Sequence, residues 1–134
     1  MERPLSVFDI AGRAMSAQLV RLNANASNIA NAGSVSATRD GAFRAMRPVF
    51  RTVEQSPGIA TVQVERVVAG GVEPIRRHAP DHPPAGPEGY VWDAGVDQAA
   101  ELIEMVETAR QYQNNVQVLQ TAKTLTLDTI RRGQ

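Results

Sequence analysis

Two imidazoles and a carboxylate, His78, Asp81 and His82, stand within five positions of one another and are the side chains best suited to chemistry. Imidazole and carboxylate are ordinary zinc ligands, and the same groups can serve a small hydrolase as base and acid. A closed zinc site takes four ligands, whereas this chain has two His and no Cys. The surrounding segment 80–89, PDHPPAGPEG, carries four of the eight prolines and suits neither helix nor central strand. These groups therefore read as solvated polar side chains of a stiff loop, and no metal site is expected. Hydrolysis needs a nucleophile, a base and an orienting group converging on one pocket, and no nucleophile elbow is present. Gly70-Gly71 lacks the lysine and following helix of a phosphate loop and reads as the end of a strand. Catalytic residues and cofactors are accordingly expected to be none.

Charge excludes further classes. Fourteen basic residues balance fourteen acidic ones, so no net field draws the chain to nucleic acid or an anionic membrane. The distribution is uneven: residues 1–52 hold seven Arg against Glu2, Asp9 and Asp40, and residues 53–95 hold six acids against three Arg, so the basic excess sits in the N-terminal part. Arg13 and Arg21 are spread along a helical stretch without interleaved aromatics, which argues against a nucleic-acid face. The run after the N-terminus is interrupted by Asp9, Gly12, Arg13 and Gln18, so neither a Sec-type signal peptide nor a membrane span is expected. Only 4% of residues are aromatic, which limits the core that 134 residues can build.

The elements that must position everything else are two long helices. From about Ser6 to Ala32 there is no proline, and Phe8, Met15, Leu22 and Ile29 recur every seven residues with Leu19 and Ala26 between them. Ser6 and Asp9 form a capping-box pattern, and Gly33 reads as the C-terminal stop. From about Asp97 to Arg131 there is neither Gly nor Pro, and Leu102, Met105, Ala109, Tyr112, Val116 and Leu119 follow a 3-4-3-4-3 spacing. Asp97 is placed to cap this helix, and its acids precede its bases in the sense that suits the helix dipole. Between the helices the pattern alternates, clearest in Ala60, Val62 and Val64 against Thr61, Gln63 and Glu65, and predicts a hairpin turning at Gln55-Ser56-Pro57-Gly58. Pro48 places the first strand at an edge. Short extended pieces are expected at Val72 to Arg77 and at Tyr90 to Trp92.

The fold expected is thus mainly α: two terminal helices forming an antiparallel coiled-coil pair, with a small β-hairpin-rich insert between them. Residues 1–34 form the first helix, 35–95 the β-rich insert with its proline-rich loop, and 96–134 the second helix, the two helices making one helical domain. Antiparallel pairing would bring Asp9 near Arg131 and Arg132 and set Arg21 towards the middle of the last helix. Each stripe is narrow, and one pair buries too little to stand alone, so intermolecular packing should supply the rest. Asn23, Asn25, Asn28 and Asn31 are poor helix-interior residues that call for outside partners.

The segment from Leu22 to Ala32, LNANASNIANA, resembles the N-terminal signature of flagellar rod and hook proteins, whose core reads N-[LI]-A-N. The segment from Tyr112 to Lys123, YQNNVQVLQTAK, resembles the C-terminal signature of the same family. Glu88-Gly89-Tyr90-Val91 with Val96-Asp97, and Gly33-Ser34-Val35 in place of T-P-G-Y, are similar to the proximal-rod branch. That resemblance implies a structural subunit of the basal-body rod in the periplasm, exported without a cleaved signal peptide, which assembles helically, transmits torque and encloses the export channel. Its partners would be copies of itself, other rod subunits, and ring and rod-adaptor components of the basal body, without nucleic acid or direct membrane insertion. The subunit interface would be carried by Phe8, Met15, Leu19, Leu22, Asn28, Ile29 and Asn31 on the first helix and by Leu102, Met105, Ala109, Tyr112, Val116 and Leu119 on the second. The stripes alone would equally suit a cytoplasmic helical adaptor that pairs with a partner coiled coil.

Overall fold

The computed structural model describes residues 6–133; Glu2 and the rest of 1–5, together with Gln134, lie outside the described residues. Helix α1 (Val7–Ala30) starts where the capping box predicts. The Ser6 hydroxyl accepts from the Asp9 backbone N–H, and the Asp9 carboxylate accepts from the Ser6 N–H, both at 3.2 Å. It stops at Asn31 rather than at Gly33: the Asn31 side-chain amide donates to the Ser27 carbonyl at 2.8 Å, satisfying one of the last-turn oxygens. Helix α2 (Gln98–Arg132) is capped by Asp97, whose carboxylate accepts from the Ala100 N–H at 3.1 Å.

Five strands lie between the helices. β1 (Val35–Ser36), β5 (Tyr90–Asp93) and β4 (Ile75–His78) form one antiparallel sheet in the order β1-β5-β4, and β2 (Ala45–Ser56) pairs with β3 (Ile59–Gly70) as a separate hairpin. The hairpin register runs from Ala45 opposite Gly70 to Ser56 opposite Ile59 and shifts at Val49/Phe50 and at Glu54/Ser56. Its turn uses Gly58 at φ 78°, a backbone region open chiefly to glycine. The small sheet is tied to the hairpin through the 94–95 strand end. The Ala45 N–H donates to the Gly95 carbonyl at 3.2 Å, and the Gly95 N–H donates to the Phe43 carbonyl at 2.7 Å. Gly95 is buried there, and a side chain at this position would run into the Val72 carbonyl oxygen and the ring of Pro74. Outside, Glu73 bridges Arg39 at 2.8 Å and Arg44 at 3.1 Å. The hydrogen bond from Arg39, then that from Arg44, hold its carboxyl below the usual carboxylate range.

The expectation of a mainly helical fold built on a coiled-coil pair is corrected by this structure. Helices α1 and α2 hold 24 and 35 residues, and five strands in two antiparallel sheets stand between them, so the insert is a β unit in its own right. The helices do lie alongside each other in opposite senses, since Asn25 meets Glu101 while Gln18 meets Asn115. Their contact is not an apolar seam. The buried positions of α2 are Glu101 and Thr108, one residue before the predicted Leu102 and Ala109, and Leu102 itself is 46% exposed. Rotating the helix by about 100° per residue turns a polar stripe inward. The charge register differs too. Counting back from Gln18–Asn115 sets Thr124, not Arg131, opposite Asp9, and Arg21 reaches Glu104 near the start of α2, at 3.9 Å.

What holds the inward stripe is a cluster of polar side chains from three elements. Asn28, fully buried in α1, accepts from the Met46 N–H through its Oδ1 at 2.8 Å and donates through Nδ2 to the Met46 carbonyl at 3.1 Å. Its amide thus reproduces a rung of β-ladder on the edge of β2. The same Nδ2 donates to Glu101 Oε2 at 3.1 Å, and Asn25 Nδ2 donates to that oxygen at 2.7 Å. Arg47 of β2 sets Nη2 2.6 Å from Glu101 Oε1, an ion pair whose off-axis approach falls short of a directed hydrogen bond. Its Nη1 meets Glu104 at 3.2 Å. The buried apolar residues among those described are mostly small: Ala11, Ala17, Ala42 and Ala45, with Val91.

Glu101→Ala leaves the buried Asn25 amide without its acceptor and Arg47 with Glu104 alone, and removing one member of such a buried set costs about 2 to 4 kcal/mol. Gly95→Ala overpacks a site closed by backbone and costs about 1 to 3 kcal/mol. Both are expected to lower the thermal midpoint measured by circular dichroism. A Glu101→Ala protein that melts with the parent would show that the cluster does not hold the helices.

Candidate subunit interface

With polar groups turned inward, many large apolar side chains are left on the surface. Those of α2 begin in its first turns, where Leu102, Ile103 and Val106 are exposed, Ile103 by 63%. They resume at Val118, Leu125, Leu127 and Ile130, with Leu125 exposed by 62%, and positions 123–133 are exposed throughout. On α1, Val7, Phe8, Ile10 and Leu19 are exposed. No helix among the described residues is long and apolar enough to cross a membrane. Exposed apolar side chains in this number on two helices are candidate contact positions.

The thirteen interface candidates divide by position. Phe8, Leu19 and Leu102 are exposed, and Met15, Leu22, Ile29, Met105, Ala109, Tyr112, Val116 and Leu119 are half-buried along the two helices. Asn28 has its hydrogen-bonding groups engaged inside the chain, and Asn31 is half-buried and caps α1. The seam was expected to shift towards Ala122, Leu125 and Ile130 in the last turns, whereas Ile103, Val106 and Leu127, also exposed apolar residues of α2, were passed over. A search for one periodic stripe discards apolar residues off that stripe, and a second pass for apolar positions left over would have found them.

Beside α1, residues of β3 wall an open groove of about 590 Å³. Its lining includes the apolar Phe8, Val62 and Val64 and the small Gly12, Ser16 and Ala17. Arg13 crosses it and donates to Thr61 Oγ1 at 3.2 Å. Nearby, Arg21 lies over the Phe50 ring at 4.8 Å from its centroid.

The candidate chemistry at the loop takes a different form from the one expected. His78 ends strand β4 instead of lying in the loop, with its ring 4.9 Å from that of Tyr90, which also carries Arg76 at 4.3 Å on its face. Asp81 and His82 are exposed in the turn beyond. Among the described residues no three His, Asp or Glu side chains are grouped to hold a metal ion.

Comparison with known proteins was made against this geometry. A family model described as "Flagella basal body rod protein" matches residues 8–35, which take in α1 from its second residue and reach the first residue of β1, and one described as "Flagellar basal body rod FlgEFG protein C-terminal" matches residues 88–132, which cover β5 and α2. The flagellar basal-body rod protein FlgC of Escherichia coli O6:H1 is 41% identical over 132 residues, 97% of this chain and 98% of that protein. The FlgC of Salmonella typhimurium is 40% identical over the same shares, and that of Aquifex aeolicus 31% identical over 122 residues, 88% of each chain. The match runs end to end through the hairpin and the small sheet as well as the helices, and the chain belongs to the FlgC family of flagellar basal-body rod proteins.

Proposed function

We propose that this rod protein is a non-enzymatic subunit of the proximal rod, that it assembles helically with copies of itself and with other rod subunits, and that the resulting tube transmits torque and encloses the export channel. The observation that carries this reading is the surface of α2, apolar at both ends while the helix is fixed to the rest of the chain by a polar cluster. Such a helix can be presented to a neighbour without losing its own fold. The protein would reach the periplasm through the flagellar export apparatus and contact ring and rod-adaptor components at the tube's outer side. Nothing in the relatives favours the cytoplasmic adaptor, because the similarity extends over the whole chain and every relative named above is a rod protein.

Two outcomes are expected. The first concerns the free subunit: amides at 25–28 and 101–108, beside the buried cluster, should exchange slowly, whereas those of 118–132 should exchange fast until assembly covers them. Hydrogen exchange on dilute monomer and on purified basal bodies reads this directly, and uniform protection along α2 in the monomer would contradict it. The second concerns assembly. Leu119→Asp puts a carboxylate on a half-buried helical face, where desolvation costs several kcal/mol for each ion and recurs in every subunit. Motility should be lost, while the double variant His78→Ala with His82→Ala should be secreted, incorporated and motile. A swimming Leu119→Asp strain would refute the helical-interface mechanism, and an incorporated but non-functional histidine variant would reopen a chemical role for the loop.

A further inference from the structure

The groove beside α1 and the last turns of α2 carry matching patterns of charge. On α1, Asp9 and Arg13 are four residues apart at the groove, followed by the small Ser16 and then Val20. On α2, Thr121, Leu125, Asp128 and Arg132 recur at spacings of four, three and four and so share one side of the helix, where all are exposed. Laid antiparallel in the groove, this stripe sets Arg132 against Asp9, Asp128 against Arg13, Leu125 over the small Ser16 and Thr121 beside Val20. Two charge pairs of opposite order and an apolar anchor over a small residue agree in a single register.

The chain's own α2 does not supply this stripe. Gln18 meets Asn115, so stepping back five residues to Arg13 steps forward five to Gln120, eight residues short of Asp128 and about 12 Å away along the helix. Arg13 keeps its Thr61 hydrogen bond but has no ion pair among the described residues, and neither has Asp128. Asp9 serves the cap of α1 through Oδ2, and its carboxylate still contributes negative charge at the groove's end.

The geometry points to a second copy of this chain as the occupant: the C-terminal turns of its α2, Thr121 to Arg132, lie antiparallel in the α1–β3 groove, with Asp128 paired to Arg13. This rests on the rod-subunit reading above and names which surface of one copy receives which surface of the next.

The absence of native cysteine allows a direct test. Val20→Cys and Thr121→Cys are placed on separate copies, co-expressed in a strain lacking its own gene, and basal bodies are purified and mildly oxidised. A disulfide-linked dimer is expected only when both variants are present, and it should be lost when Thr121→Cys is replaced by His82→Cys. In the same strain Arg13→Glu and Asp128→Arg should each abolish swimming, and the two changes combined in one chain should restore it, because every groove then meets a reversed stripe. Both cysteine variants present in basal bodies without a dimer, or Val20→Cys joined by mass spectrometry to a different rod protein, would overturn this interface and leave the rod assignment standing. Absence of every variant and of the parent chain from purified basal bodies would overturn the rod assignment itself, and this interface with it.

Discussion

A carboxylate with no exposed surface governs this fold. Glu101 is wholly buried, and a charge removed from water must be met by donors and by opposite charge or it will not stay. The amides of Asn25 and Asn28 and the guanidinium of Arg47 supply them, from α1 and from β2. Those residues lie more than fifty positions before Glu101, so no local segment can satisfy the charge. The helices and the hairpin must come together for any of them to be stable at that point. Arg47 remains a third exposed, which leaves part of the pair's desolvation unspent, while Asn25 Oδ1 is buried without a hydrogen-bond donor and works against it. The net stabilisation is therefore smaller than the number of contacts suggests. What the cluster contributes most clearly is register: a shift of either helix by one residue would leave a buried ion unmatched.

Asn28 adds a second constraint. Asparagine disfavours helix interiors because its side chain competes for backbone groups, and here it satisfies that tendency on a neighbouring strand instead of its own turn. By accepting from and donating to Met46 it occupies a rung on the edge of β2, which otherwise presents unpaired groups to any passing strand. Asn31, three residues on, turns the same chemistry on the helix itself and closes its end. The two asparagines of the N-I-A-N segment thus do different things, one tying helix to strand and the other ending the helix where the chain must turn into β1.

This division explains what was legible before the structure. Caps follow from nearest-neighbour chemistry, and Ser6, Asp9 and Asp97 act as their spacing implies. The hairpin follows from alternation and a Pro-Gly turn. The family signatures lay in α1 and α2, which hold the buried asparagines and Glu101. The face by which the helices meet was not legible, because periodicity analysis selects apolar residues and the buried face is carried by Glu101, Thr108 and Asn25. Glu101 in particular reads as a first-turn acid complementing the helix dipole, a description that is correct and hides its burial. Of the β1-β5-β4 sheet, the extended pieces that form β4 and β5 were legible, and β1 and the pairing were not. Its first strand is two residues long, and its pairing with Asp93 and Trp92 joins segments nearly sixty positions apart.

The result is an interior and a surface that exchange their usual contents. Alanine, asparagine, glutamate and threonine are buried, while Ile103, Leu125 and Ile130 face outward. For a monomer this sorting wastes the largest available driving force, since each such side chain is worth about 1.5 to 3 kcal/mol when taken from water. For a subunit it separates two tasks that would otherwise compete. Directional bonds around Glu101 define the shape of one chain, and non-directional apolar area is left available for contacts with a neighbour. A core built the other way would make a more stable free subunit with less to gain from joining its neighbours. The same sorting that withholds apolar burial from the free chain sets what that chain can gain on joining a neighbour.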